Sequence, residues 1–170
     1  MGVKKDPREA LRLFQGSASA GDATAQFNLA GMYLRGIGVK ESRGEALGLL
    51  RKASEGGLDA ASRLLGEMNM EEGDLAEARR CFELAVSQGS YRALMHLGKM
   101  YRDGVGGNVD RVRALMCFLK LLDIDNGDGF HEAHDLVWDM TDDEIREGAQ
   151  LAGRRQEGEV LVDNKKRGKR

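Results

Sequence analysis

Proline occurs once in these 170 residues, cysteine twice and the aromatic residues nine times in all, as five Phe, three Tyr and one Trp. Two cysteines, Cys81 and Cys117, are too few to staple a chain of this size, which suits a reducing compartment. No apolar run approaches the ~18 residues needed to span a bilayer. The start, MGVKKDPREALRLF, has no uninterrupted apolar signal core, and Asp6 stands where an N-myristoylation motif wants Ser or Thr. The expected location is therefore the cytoplasm. Net charge is also lacking, at -2 with a pI of about 6.0. That excludes a global pull toward nucleic acid or an anionic membrane, and neither is expected as a partner.

What is present is 41% apolar residues, mostly Ala, Leu and Met, with 23 glycines and 32% charged residues. The mixture favours helices punctuated by glycine turns. Two segments recur. Ala10-Leu-Arg-Leu-Phe14 returns at Ala46, Ala78 and Ala114, with spacings of 36, 32 and 36. Ala25-Gln-Phe-Asn-Leu29 returns at Ala61 and Ala93, with spacings of 36 and 32, in step with the first. Within both, small and apolar positions recur at i and i+4, the period of one helix face.

Each unit is thus a pair of helices, and because a lone pair could not bury its apolar face, the units must stack. Gly36-Ile-Gly38 and Gly104-Val-Gly106 follow first helices, and Gly21, Gly57 and Gly89 end second helices. In the middle unit Glu72-Gly73-Asp74 makes the connection alone, a four-residue deletion that accounts for the spacing of 32. The expected architecture is all-α, a solenoid of stacked antiparallel helix pairs.

The pattern Ala-x-x-x-Leu-Gly-x-x-Tyr, then Gly-x-Gly-Val, then Ala-Leu and a small-residue run ending in Gly, resembles the Sel-1-like repeat, a relative of the tetratricopeptide repeat. Lys52-Ala-Ser-Glu-Gly-Gly57 and Ser17-Ala-Ser-Ala-Gly21 look like its junction segment. The resemblance covers about residues 2 to 140. The middle unit, with Asn69 in place of Tyr and a short turn, is closer to an ordinary tetratricopeptide unit. A right-handed α/α superhelix is what the resemblance implies, along with a role as adaptor or scaffold.

The divisions read from the register are 1–20, a partial repeat holding a second helix only, as in a fragment of a longer array; 21–56, 57–88 and 89–128, three repeats; 129–155, a degenerate repeat and capping helix; and 156–170, a disordered basic tail. Glu132 to Met140 reads as the degenerate first helix. Thr141-Asp-Asp-Glu144 is a capping box opening a last helix to about Arg155. The closing run of Lys and Arg has the composition of a nuclear-import or nucleic-acid contact, but without aromatic interleaving a solvated terminus is the better reading.

Candidate chemistry is sparse, and no catalytic residue, cofactor or small-molecule substrate is expected. In His131-Glu-Ala-His134-Asp135 the histidines are three apart, whereas the zinc arrangement needs four, so a solvated helix face is favoured. Asp123-Ile-Asp125-Asn-Gly127-Asp128-Gly129 has a calcium loop's residue types without its spacing, and reads as an inter-helix turn. A metal-dependent enzyme using residues 123–135 stays as a minor alternative. Cys81 and Cys117 are equivalent residues of successive second helices, whose axes lie too far apart for a relaxed disulfide, and read as packing or surface residues.

In the related tetratricopeptide fold the first helices line a concave surface. That geometry selects Thr24, Phe27, Gly31 and Arg35, then Ala60, Arg63, Glu67 and Met70, then Arg92, Met95, Lys99 and Arg102. Phe27 and Met95 are large apolar residues among five basic side chains and one acid, so a protein or peptide partner of acidic character is expected. The alternative is a homodimer, formed by the apolar face of the unpaired helix at residues 7–20.

Overall fold

The computed structural model describes residues 6–124 and 127–168. Among these, α1 (Pro7–Ser19), α2 (Ala23–Arg35), α3 (Arg43–Glu55), α4 (Asp59–Glu72), α5 (Leu75–Ser87), α6 (Tyr91–Asp103) and α7 (Arg111–Lys120) carry the repeats. A 3-10 turn at Leu121–Ile124 leads to α8 (Gly127–Leu136), a second at Val137–Asp139 leads to α9 (Asp142–Leu151), and α10 (Arg155–Gly168) closes the described chain. No strand occurs among the described residues; successive helices from α1 to α8 pack together, as do α9 and α10, while α9 packs back on α7. The result is a helical solenoid.

Side-chain caps fix where helices begin. Asp22, Asp74 and Asp110 accept from the backbone N–H three residues on, at 2.8, 3.1 and 2.9 Å. Left-handed glycines fix where they end: Gly36, Gly73 and Gly104 close α2, α4 and α6 with φ of 64°, 81° and 69°.

Volume complementarity holds each pair together. A Cβ placed on Gly98 would lie 2.5 Å from the ring of Phe118, and one on Gly66 would lie 2.9 Å from that of Phe82. Each glycine therefore makes room for the next helix's phenylalanine. In the first full unit the same register positions hold Ala30 and Leu50, a slightly larger residue facing a smaller one, and both are fully buried. Polar groups that enter the core are satisfied: the Ser54 and Ser62 hydroxyls lie 2.6 Å apart, Ser62 donates to Gln88 Oε1, and Gln88 Nε2 donates to the Ser54 carbonyl at 2.8 Å. That network ties α3, α4 and α5 at one end of the stack.

The C-terminal part departs from expectation in three places. Residues 127–129, expected in a turn, open α8, because Gly129 is buried where a Cβ would fall 2.5 Å from the Phe118 carbonyl oxygen. This glycine serves close approach rather than chain reversal. The capping box at Thr141 and Glu144 opens α9, but that helix stops at Leu151, and Gly153 at φ +75° turns the chain. The segment from Gln156 on, expected to be disordered, forms most of α10. It buries Gly158, Leu161, Val162 and Lys165, Gly158 letting α9 come close at Ala149. The Lys165 stem is covered while its amine donates to the Met140 carbonyl. Arg146 with Glu159 and Lys166 with Asp142 add ion pairs at 2.9 and 3.2 Å.

Candidate partner-binding surface

The first helices of the units, α2, α4 and α6, carry the expected contact residues, and the structure sorts them by what already touches them. Phe27 is half-buried against the cluster of Ala30, Leu50, Ala61 and Leu65, and Met95 is half-buried at the edge of the larger C-terminal core. Each leaves one face to solvent. Glu67 takes Arg63 in an i,i+4 ion pair whose side chains are both partly buried. Lys99 reaches Glu132 of α8 at 3.1 Å, and Arg102 meets the same carboxylate. Arg102 also grips Asp103 through two bonds of 2.7 and 2.9 Å. Those bonds raise the Arg102 pKa and hold the Asp103 carboxyl below its ordinary value.

Three of the five basic residues are therefore neutralised within the chain. Arg35 and Arg92 are exposed and have no carboxylate partner among the described residues. The Arg35 guanidinium lies back over Gly31.

Glu132, whose role sequence reasoning missed, makes the α6–α8 seam polar. One open cleft there, of about 310 Å³, is lined by Met95, Lys99, Asp128, His131, Glu132 and Asp135. A second, of about 290 Å³, adjoins it at Glu132 and Asp135 and runs to Asp139. Shallow, open and charged, both suit side chains of a partner better than an enclosed small molecule.

Within the 123–135 segment Asp128, His131, Glu132 and Asp135 share a cleft, but the described side chains turn to different partners. Asp123 turns to Arg154, Glu132 to Lys99 and Arg102, and His134 to Asp135 and Trp138, while Asp125 and Asn126 lie outside the described residues. Among the described residues no group of three or more His, Cys, Asp or Glu side chains is placed to hold a metal ion. Cys81 and Cys117 are both free and buried, and burial pushes their thiols up to about 11 and about 12. On α1, Leu11 and Phe14 pack against the cluster of Ala18, Ala25 and Leu29, while Leu13 is 58% exposed.

A family model of the Sel1 repeat matches residues 1–22, 23–58, 61–90 and 92–123. The chain belongs to the Sel1 repeat family. Among solved structures, the Sel1 repeat protein from Oxalobacter formigenes is 26% identical with a TM-score of 0.72, over 88% of this chain and 67% of that one. The protective antigen c5321 of uropathogenic Escherichia coli strains, which displays an SLR fold, is 26% identical with a TM-score of 0.74, over 91% of this chain. This chain spans about a third of that antigen, 34% of its length. No curated protein matches. The Sel1 fold is generally a protein-interaction scaffold, typically without catalysis. The Sel1 matches stop before α8, so the acidic side of the seam lies beyond the matched repeats. No helix among the described residues is long and apolar enough to cross a membrane.

Proposed function

We propose that this Sel1 repeat chain is a non-catalytic scaffold that holds a protein or peptide on the concave surface of α2, α4 and α6. The observation that carries the reading is the pairing of solvent-facing apolar area with unneutralised cations on those helices. Phe27 and Met95 offer the first, and Arg35 and Arg92 the second. A segment with carboxylates and apolar side chains satisfies both, through charge-assisted hydrogen bonds and burial. Arg63, Lys99 and Arg102, already paired, shape the surface and contribute less to attraction.

The test is affinity capture from cells with the intact chain as bait, followed by mass spectrometry, with Arg35→Glu/Arg92→Glu as the control. Partners held on the concave surface drop out with the double reversal. An unchanged set of partners, with helicity intact by circular dichroism, rejects the concave surface as the docking site.

A further inference from the structure

Residues 121–145 hold nine of the chain's 28 acidic residues and none of its 26 lysines and arginines. The stretch runs through α8 into the start of α9. Several of these carboxylates have partners from elsewhere: Asp123 has Arg154, Glu132 has Lys99 and Arg102, Asp142 has Lys166, and Asp143 has Arg146. Asp135 and Asp139 differ. Neither has a lysine or arginine in ion-pair reach among the described residues. Asp135, its side chain 88% exposed, meets only His134 Nδ1 at 3.6 Å. Both line the cleft that continues the α6–α8 seam, where Asp103, Glu132, Asp135 and Asp139 outnumber the two cations of the lining, Arg102 and Arg111, and Arg102 is already paired with Asp103 and Glu132.

A second, independent feature lies on the same element. Three aromatic side chains of the described chain are substantially exposed, Tyr91, Phe130 and Trp138, and two of them belong to α8 and the turn that follows it. Phe130, His134 and Trp138 are spaced four apart, and the His134 ring meets the Trp138 indole edge-on with centroids 6.2 Å apart. One edge of the indole lies against the end of α10, where a Cβ on Gly168 would collide with it, yet the residue remains 41% exposed. Aromatic rings open to water on the same helix and turn as unneutralised carboxylates form a complementary pair of features: one guanidinium or ammonium group of a partner can stack on the first while another pairs with the second. Aromatic side chains, Trp above all, are enriched at contact surfaces and their hot spots.

We infer that α8 and its following turn are a second docking surface, and that its occupant is a basic segment of a partner protein, with arginine or lysine alternating with apolar residues. The cations sit at Asp135 and Asp139 and over Trp138, and the apolar side chains rest on the exposed faces of Phe130 and Met95. This surface is distinct in sign from the one carried by Arg35 and Arg92, and the two meet at the α6–α8 seam.

The experiment titrates the full chain with a fluorescein-labelled peptide of alternating arginine and leucine, followed by anisotropy and by the emission of Trp138, the only tryptophan. The expected result is saturable binding that shifts Trp138 emission. Asp135→Lys/Asp139→Lys should weaken it roughly tenfold. Glu41→Lys/Glu55→Lys, equal in net charge and remote from the cleft, leaves it within about twofold. Arg35→Glu/Arg92→Glu leaves binding of this peptide in place, so the concave-surface reading and this one fail separately. Equal weakening by both lysine pairs, or binding without any change in Trp138 emission, overturns the proposal. So does concentration-dependent self-association in sedimentation that Asp135→Lys/Asp139→Lys abolishes while the peptide fails to bind. In that case the occupant is the basic end of α10 from another copy.

Discussion

The unit of α4 and α5 and the unit of α6 and α7 share one contact and differ in one connection. Both set a glycine of the first helix against a phenylalanine of the second, Gly66 against Phe82 and Gly98 against Phe118. In the second of them a loop from Gly104 to Asp110 joins the helices and also leans on the preceding unit. A Cβ on Gly106 would fall 2.1 Å from the Leu75 carbonyl oxygen, and Arg79 donates to the Asn108 carbonyl at 3.0 Å. In the first, Gly73 turns the chain almost at once and no such loop exists. There Arg43, which occupies in the register the place of Leu75, reaches across to Glu71 and Glu72 at 3.4 and 2.9 Å and donates to the Met68 carbonyl. The long loop is thus not needed to pair two helices. It fills the step between units, and where it is deleted a long side chain of the preceding unit spans the gap.

The largest effect should come from the contact the two units share. Phe118→Ala and Phe82→Ala, both fully buried positions, should each lower stability by about 3–5 kcal/mol in denaturant unfolding. A loss under about 1 kcal/mol at either would break the equivalence of the units.

Next come the equivalent cysteines. With thiols held at about 11 for Cys81 and about 12 for Cys117, labelling of the folded chain at pH 8 should be far slower than of free cysteine. Cys81 should react before Cys117. Because both values lie above the ordinary 9.0, the folded state is favoured below that pH and loses this contribution as the pH rises through the raised values. Equal labelling rates at the two sites would remove the difference in packing between α5 and α7.

Smaller, and specific to the loop, is Gly106→Ala. It combines a φ of 72° with a backbone clash, and should cost about 2 kcal/mol. Gly73→Ala, at φ 81° with nothing near its Cβ, should cost about 1 kcal/mol. Similar losses would mean that the loop's contact with the preceding unit contributes little. Smallest is Arg43→Ala, an exposed ion pair, whose melting temperature should stay within about 2 °C of the parent. A sharper form of the comparison grafts the Gly104–Asp110 loop in place of the Gly73 turn, where Arg43→Leu should then be tolerated better than Arg43→Ala.

The repeat part was legible because its contacts are local and periodic. Ala30 with Leu50, Gly66 with Phe82 and Gly98 with Phe118 stand at fixed register, so small and large residues announce their own pairing. α10 gives no such signal, since two of its four buried residues are a glycine and a lysine. Gly158 matters for the atoms it lacks, and Lys165 is buried only because the Met140 carbonyl is there to receive its amine. The binding surface was legible as far as position and no further. Arg63 and Glu67, four apart on one helix, declare their pair in the sequence, whereas Glu132 stands 30 residues from Arg102 and takes it out of the count of available cations only once the chain is folded. The run from 121 to 145 without a lysine or arginine was the available sign of the acidic surface on α8.

One further consequence follows from α7. The most extensive packing of α1 to α6 is with the helices before and after them, but α7 packs extensively on α6, α8 and α9, inside a core cluster reaching from Ala78 to Val162. The clusters toward α1 are smaller and separate. Cooperativity is therefore uneven along the chain. Amide hydrogens should exchange most slowly in α7 and progressively faster toward α1, so that opening proceeds from the N-terminal side inward while the end that carries α8 stays closed.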